Sequence, residues 1–197
     1  MKRLNALLRR VPEWLVWAFG ALPLMLLVYD TLTGGLGVDP VRDIEHRLGR
    51  TAFYFLMATL TVTPLRRFLR INATHLRRAL GLLCFSYALL HLGAWALFDM
   101  GLLWPQMLKD VVKRPYLVFG MTGLVILLIL ALTSNRFSIR RLGSGWRRLH
   151  RLVYAVAILV SLHWVLALKL LSGWVLACVA GMALLLAMRL RLPRRPS

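Results

Sequence analysis

The stretch Gly145–Val165, GWRRLHRLVYAVAILVSLHWV, opens as a basic loop, becomes an apolar run and carries His150 and His163 near its two ends. An imidazole gains nothing from facing lipid tails, because its polar ring costs free energy in hydrocarbon unless a partner satisfies it. The stretch therefore has the character of a membrane helix whose histidines have partners.

The rest of the chain fits a membrane protein. Its 197 residues are 59% hydrophobic with a mean hydropathy of +0.69, too apolar for an ordinary soluble domain. The 26 Lys and Arg against 7 Asp and Glu give a net charge of +19. Those cations stand in short blocks between apolar runs of about 17 to 20 residues, the length a spanning helix needs, and not on one face of a soluble core. The pattern speaks against nucleic-acid binding. Six runs can be read, at 14–29, 48–65, 79–98, 116–133, 152–168 and 171–188. They predict an all-α, six-transmembrane helix bundle forming a single integral-membrane domain over residues 1–197. The first run is too long for a cleaved signal peptide.

Charge sets the expected orientation. Nineteen basic residues fall in the N-terminus, the loops after runs two and four, and the tail; only seven fall on the other side, with six of the seven acids. The positive-inside rule then puts both termini in the cytoplasm. Cys84 and Cys178 lie inside apolar runs without a CxxC spacing and read as small packing residues. The chain has no GxGxxG, Walker or HExxH pattern, so it carries no sign of a nucleotide fold or a zinc hydrolase.

Five histidines remain to be placed. His46, in VRDIEHRLGR, and His75, in RINATHLRR, read as solvated or headgroup-facing loop residues. His91 lies twelve residues into run three and His163 eleven residues after Leu152 in run five. At about 1.5 Å per residue both sit roughly 17 to 18 Å from the inner ends of two helices that run the same way, with His150 roughly 20 Å below His163. Two neutral imidazoles at one depth can clamp the iron of a single tetrapyrrole. The alternative is that each hydrogen-bonds across helices, to a carbonyl or to Ser86 or Ser161; the matched pair, with a third histidine below, favours haem. Thirteen residues put His150 and His163 about 140° apart on an ideal helix. The two share a face only if the helix entrance is irregular, as RLGSGW with Gly143 and Gly145 allows, or if His150 precedes the regular turn.

The segments LGLLCFSYALLHL, KRPYLVFGMTGLVILLILALTSN and LGSGWRRLHRLVYAVAILVSLHW resemble the ferric-reductase-like transmembrane domain shared with NADPH oxidases. Within it they resemble the MsrQ (YedZ) family, over nearly the whole chain. The resemblance implies a bacterial inner-membrane subunit that binds haem b, one or two, together with FMN. It would carry electrons from the quinone pool to a periplasmic molybdopterin methionine sulfoxide reductase that repairs oxidised proteins. It gives His91 and His163 as ligands of an outer haem and His150 as a ligand of an inner one. The wider oxidase pattern has a second histidine fourteen residues before His91, where this chain has Arg77. A guanidinium has no lone pair for iron but pairs well with a carboxylate, so Arg77 and Arg78 become candidates for a haem propionate or an FMN phosphate. His75 is a conceivable substitute ligand. The oxidases' FAD and NADPH domain is missing, which points to a membrane donor such as quinol.

Three other readings stand beside this one: a stand-alone transmembrane ferric or metal reductase, a small histidine-relay transporter, and a membrane anchor with incidental histidines. A relay transporter calls for acids or broken helices at mid-membrane, and every acid here is expected outside the runs or at their ends. The outer loops DTLTGGLGVDPVRDIEHRLGR and DMGLLWPQMLKDVVKRP are the candidates for docking a periplasmic partner.

Overall fold

A computed structural model describes residues 2–168 and 172–190. Lys169, the first residue of the expected sixth run (Leu171) and the arginines of 191–197 lie outside the described residues.

The chain begins with α1 (Lys2–Arg10), whose Leu4, Leu7 and Leu8 recur at helical spacing among basic residues. Pro12, in extended backbone, breaks it from α2 (Glu13–Thr33). Asn5 on α1 clamps the loop at 70–72, its side-chain nitrogen donating to the Arg70 carbonyl and its oxygen accepting from the Asn72 N–H. Gly34, with φ 73°, closes α2 in the left-handed region that glycine enters without strain. Asp39 then caps α3 (Pro40–Phe68), accepting from the Arg42 N–H with Pro40 in the first turn. This cap starts the helix eight residues before the expected second run, so half of the first outer loop is helical.

A 3₁₀ turn at Thr74–Leu76 leads into α4 (Arg77–Ala94), which widens into a π-helical turn at Trp95–Asp99. Between them and α6 (Pro115–Leu132) stands the short α5 (Trp104–Lys113), again in an expected loop. On the basic side, α7 (Arg136–Leu142) and α8 (Ser144–Leu149) meet at Gly143, with φ 51°. A 3₁₀ turn at His150–Leu152 then opens α9 (Val153–Ala167), and α10 (Gly173–Leu190) follows. The irregular entrance expected at RLGSGW is present. Three residues of 3₁₀ geometry each add about 20° to the helical turn, which brings His150 and His163 from about 140° to about 80° apart.

Four helices are long and apolar enough to cross a membrane: α2, the 3₁₀-to-π unit around α4, α6, and α8 through α9. The longer, more charged α3 and the shorter apolar α10 complete six. The chain is a multi-pass membrane protein, with no strand among the described residues. Its most intimate helix pairs are α3 with α4 and α6 with α9. Their shared core holds Phe53, Leu56, Leu60, Cys84, Leu127, Val156 and Ala157, with Cys178 and Met182 closing it from α10. Both cysteines are free and buried.

Two prolines interrupt spanning helices, and each break is repaired by a side chain. Pro23 disturbs the ladder of α2, where the Tyr87 hydroxyl inserts, accepting from Leu24 N–H at 3.1 Å and donating to the Gly20 carbonyl at 2.6 Å. Pro64 has no N–H to give the Leu60 carbonyl four residues before it, and Arg189 donates there instead, at 2.7 Å. Such repairs matter in lipid, where no water can take over an unpaired backbone group.

Candidate functional site

His91 on α4 and His163 on α9 come together between the two helix pairs, with ring centroids 6.2 Å apart and planes at 73°. The two are seated alike. Nδ1 of His91 lies 2.9 Å from the Glu45 carbonyl of α3, and Nδ1 of His163 lies 2.8 Å from the Tyr116 carbonyl of α6. A carbonyl only accepts, so each Nδ1 carries the hydrogen and each Nε2 keeps its lone pair. Neither Nε2 has a hydrogen-bond partner among the described residues.

Each seat has a glycine four residues after its carbonyl, one helical turn away. A Cβ on Gly49 would meet His91 Nδ1 and Cε1 at 3.3 Å, and a Cβ on Gly120 would meet His163 Nδ1 at 2.7 Å. The glycines create the space in which each imidazole lies flat against its neighbouring helix. Tyr116 adds a tilted ring 6.0 Å from that of His163.

Both histidines line a cavity of about 390 Å³ that runs to the end of the bundle opposite the basic loops. Its inner wall is apolar, with Phe53, Leu56, Ala88, Leu124, Leu127 and Val160, and Trp164 packed edge-on against Phe53 at 4.8 Å. The mouth is charged: Arg42, Arg50 and Arg114 stand there with Asp39, Glu45 and Asp99. Arg114 pairs with Asp110 at 3.1 Å, whereas Arg42 and Arg50 form no ion pair among the described residues. Burial, with the nearby Asp99 and Asp39 carboxylates, pushes the Glu45 carboxyl up to about 7, and its Oε1 is buried without a partner among the described residues. His46, exposed at the same mouth, is shifted down by partial burial and by Arg42 and Arg50.

The basic end is built differently. His150 stacks on Trp146, ring centroids 3.9 Å apart, with Nδ1 3.2 Å from the Trp146 carbonyl and Nε2 3.4 Å from Ser134 Oγ. Among the described residues, no second histidine faces it as His163 faces His91. His75 lines a separate recess with Arg9, Asn72 and Thr74. Arg78 donates from Nε to the Ser134 carbonyl at 2.9 Å, and Trp146 donates to the Thr133 carbonyl at 2.9 Å, so both hold the end of α6. Arg77 lies against Tyr154, close to Arg189.

Two imidazoles with free Nε2 lone pairs, about 6 Å apart between centroids, suit one metal atom held between them, because a metal–imidazole bond is about 2.0 to 2.1 Å long. No cluster of three or more His, Cys, Asp or Glu side chains exists among the described residues, so a bare ion would be under-ligated. A metal already carried in a planar macrocycle needs only the two axial nitrogens. Sequence reasoning reached the histidines and missed their seats. The available signal was a glycine inside an otherwise apolar helix, at 49 and at 120, which marks a close approach. Arg42, Arg50 and Arg114, which the sequence did not single out, line the cavity mouth.

Comparison with known proteins places the chain in a family. The family model "Ferric reductase like transmembrane component" matches residues 48–161, a segment that contains both histidine helices up to Ser161 and both glycine seats. A protein of Agrobacterium fabrum named "Protein-methionine-sulfoxide reductase heme-binding subunit MsrQ" is 47% identical over 91% of this chain and 84% of its own length. A protein of the same name from Yersinia pseudotuberculosis is 42% identical over 91% of this chain and 90% of its own. No solved structure matches the chain.

Proposed function

The chain belongs to the MsrQ family within the ferric-reductase-like transmembrane proteins, and from that premise we propose that it is a haem b-binding electron-transfer subunit of a methionine sulfoxide reductase system. It takes electrons from the quinone pool and passes them to a periplasmic molybdenum-containing reductase. The protein lies in the bacterial inner membrane with both termini in the cytoplasm, as the segregation of its cations favours.

The observation that carries this reading is the twin seating of His91 and His163. Their Nε2 atoms would hold the haem iron, and the Glu45 and Tyr116 carbonyls fix the tautomer that leaves those lone pairs free. A carbonyl accepting the Nδ1 hydrogen also makes each imidazole a stronger donor, the usual role of a partner behind a metal-bound histidine. Phe53, Leu56, Leu127 and Trp164 keep water from the ring faces. Arg42 and Arg50, which form no ion pair among the described residues, would hold the carboxylates of the haem at the mouth. Bound haem supplies a one-electron carrier whose potential is set by its axial ligands and their hydrogen bonds. Because the mouth opens away from the basic loops, delivery goes to a partner outside the cytoplasm.

The test is the visible spectrum of the purified protein, oxidised and reduced, first with a soluble quinol and then with the periplasmic reductase and methionine sulfoxide added. The reading expects a haem b spectrum that quinol reduces and the partner with its substrate reoxidises. A colourless protein, or a reduced haem that the partner leaves untouched, contradicts it.

A further inference from the structure

Arg189 sits near the end of α10, where a long cationic side chain ordinarily reaches out to lipid headgroups. Here it turns inward. Nη2 donates to the Leu60 carbonyl at 2.7 Å, Nη1 donates to the Tyr154 hydroxyl, and the guanidinium lies 4.9 Å over the Tyr154 ring. Pro64 explains the first bond, because it leaves the carbonyl of the fully buried Leu60 without a helical partner.

Pro64 does not explain the charge. Arg189 Nε is buried with no partner among the described residues. Arg77 stands beside the same Tyr154, near enough for Arg189 to oppose its charge, and is itself near enough to act on His150. The three ion pairs among the described residues all lie at the other end of the bundle, at Arg47 and Arg114. The acid at this end, Glu13, is exposed and forms none of them. Two adjacent, half-buried guanidinium groups repel each other and have lost much of their water, so without a counter-charge the arrangement is unfavourable.

We propose that Arg77 and Arg189 bind an oxyanion, a phosphate or a carboxylate carried by a membrane-embedded molecule, at the basic end of the bundle. Arg189 Nε and the Arg77 guanidinium donate to it, as charge-assisted bonds to oxyanions favour. The Tyr154 hydroxyl, accepting from Arg189, keeps its own hydrogen to offer. The oxyanion comes either from an anionic phospholipid or from the carboxylate of a haem held near His150. This site is independent of the His91–His163 pair.

The experiment compares full-length wild type with Arg77→Gln/Arg189→Gln and with Pro64→Ala/Arg77→Gln/Arg189→Gln, where the backbone N–H restored at position 64 serves the Leu60 carbonyl and spares the fold. After exhaustive detergent exchange, haem and extracted lipid phosphorus are counted per protein. The site predicts that both variants lose about one equivalent of one of these while the spectral component that depends on His91 and His163 stays. A fall in phosphorus identifies a phospholipid and a fall in haem identifies a carboxylate. Wild-type haem and phosphorus in the Pro64→Ala triple variant overturns the proposal.

Discussion

A Cβ built on Gly120 falls 2.7 Å from Nδ1 of His163, closer than side-chain carbons approach in real structures. The atom it meets is held in place by the Tyr116 carbonyl, so the ring cannot retreat without losing its tautomer-fixing bond. Gly120→Ala should therefore displace the imidazole, a form of overpacking that costs about 1 to 3 kcal/mol. The variant should purify with several-fold less haem and an altered low-spin signal. Gly49→Ala, with contacts at 3.3 Å, should retain most of it. Haem-to-protein ratios and electron paramagnetic resonance check this; the reverse order of severity contradicts it.

Tyr87→Phe tests the repair at Pro23. The hydroxyl joins the Leu24 N–H and the Gly20 carbonyl, and without it both are left unpaired in a buried position, a loss of about 1 to 3 kcal/mol. The melting temperature in detergent should fall by several degrees with the haem spectrum unchanged. Wild-type melting would show that the bridge contributes nothing.

Glu45 gives the cavity mouth a pH dependence. Its carboxyl is raised from 4.5 to about 7, so the fold favours the protonated acid, and this contribution is complete below about 4.5 and is lost as pH rises through about 7. Asp39 and Asp99 reinforce the shift and Arg42 opposes it. His46 acts in the other direction, since its lowered value withdraws stability as pH falls below the ordinary 6.5. Glu45→Gln removes only the first effect. The variant should gain melting temperature over wild type at pH 8 and little or none at pH 5; an equal gain at both refutes the assignment.

The orientation is checked by fusing alkaline phosphatase to the C-terminus. The account expects an inactive fusion, because the tail stays in the cytoplasm with the nineteen basic residues. An active fusion reverses the topology and the direction of electron delivery.

The helices and the histidine pair could be read from the sequence because apolar length and an imidazole in a dry helix are local signals. The irregular turn before α9 was legible as well, from Gly143 and the 140° mismatch it had to absorb. The seats were not, because Gly49 and Gly120 do their work on helices that only tertiary packing brings beside His91 and His163. Arg189 was read as part of a basic tail for the same reason: its inward turn depends on Pro64, 125 positions away. The amphipathic α5 and the first turns of α3 lie in segments that read as loops, since helix outside a bilayer leaves no long apolar run in the sequence.

The central claim is that His91 and His163 hold one haem between them. The direct measurement is the reduced-minus-oxidised spectrum, at fixed protein concentration, of wild type, His91→Ala, His163→Ala and His46→Ala. Each of the first two variants should lose the same spectral component and the ability to reduce the periplasmic partner, while His46→Ala keeps both. If His91→Ala and His163→Ala deplete two different haems, or leave the spectrum intact, the two histidines do not share an iron.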